Sequence, residues 1–268
     1  MVRSRCADIP FERVSKTQAL KSNSPVKREV GDSYSETICT CQMTISISRP
    51  KLLLFDVNET LLDLALVKQQ VSDILLDPGG ADLWFATMLQ HSLVMTVSGR
   101  YAPFPEIGAA VLQMLARNSD VSLSGEDAIA TMALMRELAP HPDVVPALER
   151  LRSRGCRMAT LTNSPQAGAE AQMKHAGLES FFERQLSVES VSKYKPHADV
   201  YRWAAREMKV DPADCMLVAA HGWDVAGAKW AGLKTAFIAR ERQQKFPLAP
   251  APDIDVTDLG ALATALLE

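Results

Sequence analysis

An aspartate ends the first strongly apolar run of this chain. Residues 51–55 read Lys-Leu-Leu-Leu-Phe, and Asp56 follows directly, with polar and turn-compatible residues behind it. A short continuous apolar run predicts a buried strand of a parallel sheet, and ligands of open α/β sheets gather where the carboxyl ends of such strands meet their loops. A carboxylate at that edge can attack carbon or phosphorus and form a covalent intermediate. Asp56 is therefore the candidate nucleophile.

Polar residues also follow two later apolar runs. Thr162 and Asn163 end one of them, and Asp224 follows the next. Lys195 lies on the chain between these two runs. Because parallel strands share an edge, we expect all of these residues to form one site with Asp56. Hydroxyl and amide donors then hold an anionic oxygen, the lysine keeps the nucleophile ionised, and Asp224 orients the lysine or the hydrolytic water.

Hydrophobic periodicity predicts the elements that position these residues. Four helical patterns follow the first strand, at 64–76, 83–97, 107–115 and 129–138. After Pro140, strands at 157–162, 216–220 and 235–239 alternate with helices at 143–154, 166–175, 198–208 and 225–231. This alternation predicts a parallel sheet with right-handed crossovers. The fold is thus expected to be α/β, with a doubly wound, Rossmann-like core (50–64 and 139–268) and an inserted all-helical cap domain (65–138) that excludes water.

The composition is that of an ordinary globular chain. Its 268 residues are 47% hydrophobic and 23% charged, enough for one sizeable core with a smaller attached unit. The formal net charge of -3 gives no attraction for nucleic acid or an anionic membrane, and no apolar stretch approaches the ~20 residues that span a bilayer. We expect a small-molecule substrate, no nucleic-acid or membrane partner, and a cytoplasmic location.

The first 49 residues differ from the rest. They are rich in Ser, Thr, Lys and Arg and show no sustained periodicity, which predicts a disordered N-terminal extension. Within residues 1–50, eight basic side chains face five acidic ones, too many acids for a convincing transit peptide. Two interpretations stay open: the extension belongs to the mature protein, or Met43 is the true start.

Short motifs recur in a fixed order across residues 51–240. They are Phe55-Asp56, Thr60-Leu61-Leu62-Asp63, Gly99-Arg100-Tyr101, Leu161-Thr162-Asn163-Ser164-Pro165-Gln166, Leu186-Ser187-Val188, Lys195-Pro196 with Val200-Tyr201, and Trp223-Asp224 with Gly227-Ala228. This ordered set resembles the haloacid dehalogenase superfamily of hydrolases, and within it most closely the (S)-2-haloacid dehalogenase type.

The resemblance implies a two-step hydrolysis that needs no metal or other cofactor. Asp56 displaces halide from C2 of a short 2-haloalkanoic acid, and water then hydrolyses the aspartyl ester, giving a 2-hydroxy acid. The matched catalytic positions are Asp56, Lys195 and Asp224, and the substrate-binding ones are Thr60, Thr162, Asn163 and Tyr201, with His221 added as a candidate. Dehalogenases of this type are often dimers, which implies a possible homodimer.

The chain departs from the family pattern inside the predicted site. Phe85 stands where the dehalogenases carry an arginine that binds the substrate and the leaving halide. Ala219 and His221 replace a serine and an asparagine, and Glu59 replaces a glycine. We expect His221 to compensate for the arginine, either as a donor for the substrate or as a base for the water. The exact substrate stays open.

Two other functions remain as alternatives. The phosphatases of the superfamily share the nucleophile and use Mg²⁺, but they place a general-acid aspartate two residues after it. That position is Asn58 here, and an amide cannot protonate a leaving alkoxide, a loss of about 10²–10⁴-fold. A magnesium site is also reduced to Asp224. A repurposed, low-activity member is the third reading, prompted by Phe85 and Ala219.

Several of these residues also have a purely structural interpretation. Asp224 precedes a predicted helix and fits an N-cap. Tyr201 could pack in its helix with the hydroxyl at the rim. One set of side chains with helical spacing predicts the apolar core of the cap: Phe85, Met88, Leu89 and Leu93.

Overall fold

A parallel sheet of six strands lies at the centre of residues 49–268, the part of the chain that this computed structural model describes. The strands are β1 Leu52–Phe55, β2 Met158–Thr162, β3 Arg184–Ser187, β4 Cys215–Ala219, β5 Lys234–Ile238 and β6 Ile254–Val256. Their order is β3-β2-β1-β4-β5-β6, that of a doubly wound, Rossmann-like sheet. The predicted α/β fold is confirmed. The predictions for residues 1–48, Met43 included, fall outside the described residues.

Nine α-helices surround or extend this sheet in the described residues. Four of them follow β1 and form the inserted helical cap: α1 Ala65–Leu75, α2 Gly80–Val97, α3 Phe104–Asn118 and α4 Gly125–Ala133, which runs into a 3-10 turn at Leu134–Glu137. The other five belong to the core: α5 Val144–Ser153, α6 Gln166–His175, α7 Ala198–Glu207, α8 Gly222–Trp230 and α9 Leu259–Leu267. Within residues 49–268, no helix is both long enough and apolar enough to cross a membrane.

The apolar runs of the sequence form the central strands β1, β2 and β4. Every residue of β1, β2 and β4 is buried, as expected for strands covered on both faces. Phe55 at the end of β1 pairs with Thr160 of β2 and with Val218 of β4. Because all three strands run in parallel, the loops that follow them meet at one edge.

Three elements escaped the sequence-based prediction. The edge strand β3 is only half-buried and reads Arg-Gln-Leu-Ser, so it lacks an apolar run. The edge strand β6 has three residues. The C-terminal helix α9, which packs on α5, was also missed. Edge strands need only one apolar face, and short ones leave little periodicity to detect.

Two local predictions were wrong. Helix α8 begins at Gly222 with His221 at the N-cap, so Asp224 lies inside the first turn and is not the cap. In the cap, Leu93 is 39% exposed, whereas Met88 is buried as expected. The backbone of Gly108 on α3 explains the tight packing around Met88, since a Cβ there would lie 2.9 Å from its sulfur.

Candidate active site

The nucleophile candidate lies at the carboxyl end of β1, beside β4, where the strand order reverses and open α/β sheets bind ligands. Asp56 is buried. Its Oδ1 accepts a hydrogen bond from Nζ of Lys195 at 2.7 Å, and its Oδ2 accepts one from the hydroxyl of Thr60 at 2.8 Å. The Thr60 hydroxyl in turn accepts from the backbone N–H of Ala220 at 2.9 Å. Lys195 and Thr60 therefore fix this carboxylate, and Ala220 fixes the hydroxyl of Thr60.

Lys195 joins the two predicted catalytic aspartates. Its Nζ lies 2.7 Å from Oδ2 of Asp224 as well as 2.7 Å from Oδ1 of Asp56. The other oxygen of Asp224 accepts from the Tyr201 hydroxyl at 2.5 Å. The structural alternative, with that hydroxyl at the rim, does not fit, because the Tyr201 side chain is completely buried; its predicted role in substrate binding stays a prediction. Burial and the Asp224 carboxylate raise its pKa well above the ordinary value, so Tyr201 acts as a donor.

Charge pairing outweighs burial at the centre of the site. Burial alone raises the pKa of Asp56, but the Lys195 ammonium and His221 hold that pKa well below its usual range. Burial alone lowers the pKa of Lys195, but Asp224 and Asp56 together raise it. At neutral pH the nucleophile is therefore an anion and its lysine a cation.

A histidine connects the nucleophile to a second carboxylate. Nδ1 of His221 lies 3.3 Å from Oδ2 of Asp56, and its Nε2 lies 2.7 Å from Oε2 of Glu59. Burial lowers the pKa of His221, but these two carboxylates outweigh it and raise the pKa to about 9. Glu59 also forms an ion pair with Lys68, and Nε2 of Gln243 lies 3.4 Å from its Oε2. His221 is thus an imidazolium in the resting protein.

Aromatic rings stack against this imidazole. The ring of Phe85 on α2 lies 5.7 Å from the ring of His221 at an interplanar angle of 22°. The ring of Trp223 lies 5.2 Å from it at 28°. Phe85, which stands at the arginine position of the family pattern, therefore contacts the positive charge that we expected to replace the arginine.

The polar residues at the end of β2 are partly used by the protein itself. The Thr162 hydroxyl accepts from the backbone N–H of Ser164 at 3.1 Å. Oδ1 of Asn163 accepts from the backbone N–H of Lys195, also at 3.1 Å, and so fixes the lysine loop. The hydroxyl proton of Thr162 and the Nδ2 group of Asn163 are then the donors that these two side chains can offer to a substrate.

The residue two positions after the nucleophile has a structural contact. Oδ1 of Asn58 accepts from Nε2 of Gln172 on α6 at 3.0 Å. The same Nε2 donates to the carbonyl of Met135 in the cap at 2.7 Å. Asn58 therefore ties the nucleophile loop to α6 and the cap.

Sequence reasoning missed the partners of the loop that carries Thr60. Glu59 was noted only as a replaced glycine, and Lys68 and Arg240 were not noted at all. Arg240 donates from Nη2 to the Thr60 carbonyl at 2.9 Å and from Nη1 to Asp143 at 2.8 Å. The sequence did offer one signal for Glu59, namely its departure from the family pattern. His221 departs from that pattern as well, and the structure shows that the two side chains are partners.

Comparison with known proteins agrees with this geometry. A family model described as haloacid dehalogenase-like hydrolase matches residues 50–232. The (S)-2-haloacid dehalogenase of Pseudomonas sp. (strain YL) is 28% identical over 214 residues, which are 79% of this chain and 92% of that protein. The (S)-2-haloacid dehalogenase of Xanthobacter autotrophicus is 30% identical over 202 residues, which are 72% of this chain and 77% of that protein.

A solved structure extends the likeness to the fold. The structure of L-2-haloacid dehalogenase from Xanthobacter autotrophicus with chloropropionic acid covalently bound is similar with a TM-score of 0.73 at 25% identity. The superposed residues are 80% of this chain and 97% of the Xanthobacter enzyme's chain. The resemblance predicted from the ordered motifs is thereby confirmed, and the chain belongs to the haloacid dehalogenase-like hydrolases.

Proposed function

We propose that this protein is a hydrolytic dehalogenase of short 2-haloalkanoic acids that works through an ester on Asp56. The observation that carries the proposal is the buried Asp56 carboxylate, held ionised and oriented by Lys195 and Thr60. A carboxylate fixed by cations and donors in a water-poor site is prepared for attack on carbon. The (S)-2-haloacid dehalogenases to which the chain is similar support the same substrate class.

In the first step, a carboxylate oxygen of Asp56 attacks C2 of the substrate from the side opposite the halogen. The new C–O bond forms as the carbon–halogen bond breaks, the halide leaves with the bonding electrons, and C2 is inverted. Donors at Thr162 and Asn163 hold the substrate carboxylate, and the His221 imidazolium supplies the positive charge that the missing arginine gives in the family. The rings of Phe85 and Trp223 beside it favour a small organic acid.

In the second step, His221 becomes a base. In the ester, Asp56 no longer carries the negative charge that helps to raise the pKa of His221. The imidazolium therefore releases its Nδ1 proton to solvent, and this is the proton that the overall reaction produces together with halide. The neutral ring then takes a proton from water, whose oxygen attacks the ester carbonyl. The bond to the alkoxide breaks, the proton of the resulting acid passes to the alkoxide, and Asp56 and protonated His221 are regenerated with the 2-hydroxy acid.

The neighbouring groups have supporting roles in that step. Glu59 holds Nε2 of His221, so that Nδ1 faces the reacting carbonyl, in the way that a carboxylate orients the histidine of a catalytic triad. Lys195 lies against the oxygen that becomes negative in the tetrahedral intermediate and stabilises it. Asp224 and Tyr201 hold the lysine in place.

We infer that the reaction uses no metal or other cofactor. The oxygens of Asp56 are already engaged by Lys195, Thr60 and His221, and the two cations among them supply the charge that a metal gives in phosphoryl transfer. Asn58, whose amide is bound to Gln172, stands where a phosphatase carries its general acid, and an amide cannot act as that acid. A small-molecule substrate is part of this proposal, and the homodimer and the cytoplasmic location stay predictions.

The test is halide release from (S)-2-chloropropionate, monochloroacetate and fluoroacetate, run beside p-nitrophenyl phosphate hydrolysis with and without Mg²⁺. Asp56→Asn is the blank, and Asp73→Asn, a charge removed from the exposed side of α1, is the matched control. Halide release without metal, absent only in Asp56→Asn, supports the proposal. Magnesium-dependent phosphate release alone would assign a phosphatase, and neither activity would indicate a repurposed member.

A further inference from the structure

The base that we propose for ester hydrolysis is connected to the cap by a chain of charges. Glu59, the partner of His221, belongs to the nucleophile loop of the core, and its other carboxylate oxygen pairs with Lys68 on α1 of the cap. Nζ of Lys68 lies 3.7 Å from Asp82 on α2, and Asp82 lies 3.2 Å from Nη1 of Arg242 on the core. The chain therefore runs from core to cap and back to core.

These four residues are part of the lining of a cleft of about 570 Å³ between the nucleophile loop, α1 and residues 239–243. Burial decreases outward along the chain. The Glu59 side chain is 10% exposed, that of Lys68 is 30% exposed, and those of Asp82 and Arg242 are 50% and 78% exposed. Exposed pairs contribute little and are screened by salt, whereas a half-buried pair such as Glu59–Lys68 is screened less. Lys68 is thus the member of the chain that matters for His221.

We propose that Lys68 is a positioning residue for ester hydrolysis: from the cap it fixes the Glu59 carboxylate on His221. The inference rests on the proposed function, since it assigns a residue to the second step of that reaction. It concerns a residue that touches neither the substrate nor the reacting atoms.

The Glu59 carboxylate is held by side chains and not by its own loop. Glu59 has φ 61°, the left-handed region in which a non-glycine residue is uncommon. Its carbonyl lies 3.2 Å from Nε2 of His141, which holds the backbone but not the side chain. Lys68, Gln243 and His221 are the contacts of the carboxylate itself.

The charges around the imidazole determine the direction of the effect. The carboxylates of Asp56 and Glu59 contact His221 directly, and the rings of Phe85 and Trp223 carry no charge. The cations stand one residue further away, Lys195 behind Asp56 and Lys68 behind Glu59. Removing the Lys68 charge leaves Glu59 less neutralised, and the pKa of His221 should then rise, because an uncompensated anion favours the imidazolium. The base is then ionised over a wider pH range and works only at higher pH.

The experiment compares Lys68→Met with Lys68→Arg and with a matched control, Lys229→Met. Lys229 forms a similarly half-buried ion pair, with Asp253 at 2.6 Å, on helix α8. A single turnover with (S)-2-chloropropionate is quenched at intervals, halide reports the first step, and the mass of the protein reports the ester. We expect Lys68→Met to release halide at the wild-type rate but to hydrolyse the ester at least tenfold more slowly at pH 7, with its hydrolysis profile displaced to higher pH. Lys68→Arg should restore hydrolysis to within about threefold of wild type.

Three results would overturn the inference. Equal slowing of both steps in Lys68→Met, or hydrolysis no slower than in Lys229→Met, would show a structural role only. An NMR titration of the His221 imidazole gives a readout that does not depend on turnover, and an unchanged titration in Lys68→Met would reject the electrostatic link. Failure of the wild type to release halide at all would instead remove the proposed function, and this inference with it.

Discussion

Nε2 of His221 lies 2.7 Å from Oε2 of Glu59, and both residues stand where the family pattern carries other residues. Because the two side chains are partners, each departure from the family pattern depends on the other. A buried histidine between two carboxylates stays charged and oriented, and a nearly buried glutamate in a left-handed backbone gains a cation partner. We expect the two positions to behave as one unit.

The coupling is measurable in a double-mutant cycle. Glu59→Gly and His221→Asn each restore one residue of the family pattern. Each change leaves the other residue of the pair buried without the opposite charge of its partner. The double variant removes both. We predict a coupling free energy of about 1–3 kcal/mol by urea unfolding, so that the double variant is more stable than the sum of the single changes implies. Strict additivity would show that the contact has no energetic weight.

His221→Asn should separate the two chemical steps. An amide at this position can still donate a hydrogen bond in the first step, which should slow through loss of the positive charge, but it cannot take a proton from water in the second. The aspartyl ester should therefore form and then accumulate, because loss of general base catalysis slows hydrolysis by roughly 10²–10⁴-fold. Mass spectrometry of the quenched protein detects the added acyl-alkyl group. Normal hydrolysis in this variant would assign the base elsewhere.

Stability should depend on pH through the same cluster. The folded-state pKa of His221, about 9, is above its ordinary value of 6.5, so its contribution is complete below pH 6.5 and is lost as the pH rises through about 9. This contribution amounts to up to about 3 kcal/mol. The pKa values of Asp56 and Glu59 are lowered, so their contribution is present above their ordinary values near 4 and is lost on further acidification. Thermal unfolding between pH 5 and 10 should show an alkaline decline that His221→Asn reduces.

Gly227 of α8 packs closely against the segment that carries Lys195. A Cβ on Gly227 of α8 would lie 2.3 Å from Cβ of Pro196 and 2.9 Å from the Tyr201 hydroxyl. Gly227→Ala should therefore displace the segment that carries Lys195, with a loss of about 1–3 kcal/mol in unfolding free energy and a fall in turnover. Gly168→Ala on α6 is the control. Its added carbon meets only Pro165 at 3.4 Å, and we expect it to be neutral or stabilising.

Much of this architecture was predictable because burial leaves a clear pattern. Strands β1, β2 and β4 are covered on both faces, so their sequences are continuous apolar runs. Parallel pairing then brings the residues behind those runs to one edge, which is why Asp56 and Lys195 were expected together. The edge strands and the direction of the Tyr201 hydroxyl could not be predicted, because a few half-buried residues or a single side-chain rotation leave no periodicity.

The missed part of the site depends on long-range pairing. Glu59 and His221 are 162 residues apart, and Lys68 approaches from an inserted helix. No local pattern specifies that these side chains meet. The only hint was that two departures from the family pattern follow two strands expected to end at the same edge of the sheet, and a single sequence does not show that they depend on each other.

The central claim is that Asp56 forms an ester that water then opens at the carboxyl carbon. The most direct measurement is a single turnover of (S)-2-chloropropionate in water enriched in ¹⁸O, with an excess of protein, followed by mass spectrometry of the peptide that contains Asp56. The account predicts ¹⁸O in the Asp56 carboxylate and unlabelled oxygen in the first 2-hydroxy acid released. Label in that product from the first turnover, with none in Asp56, would contradict it and indicate direct attack of water on C2.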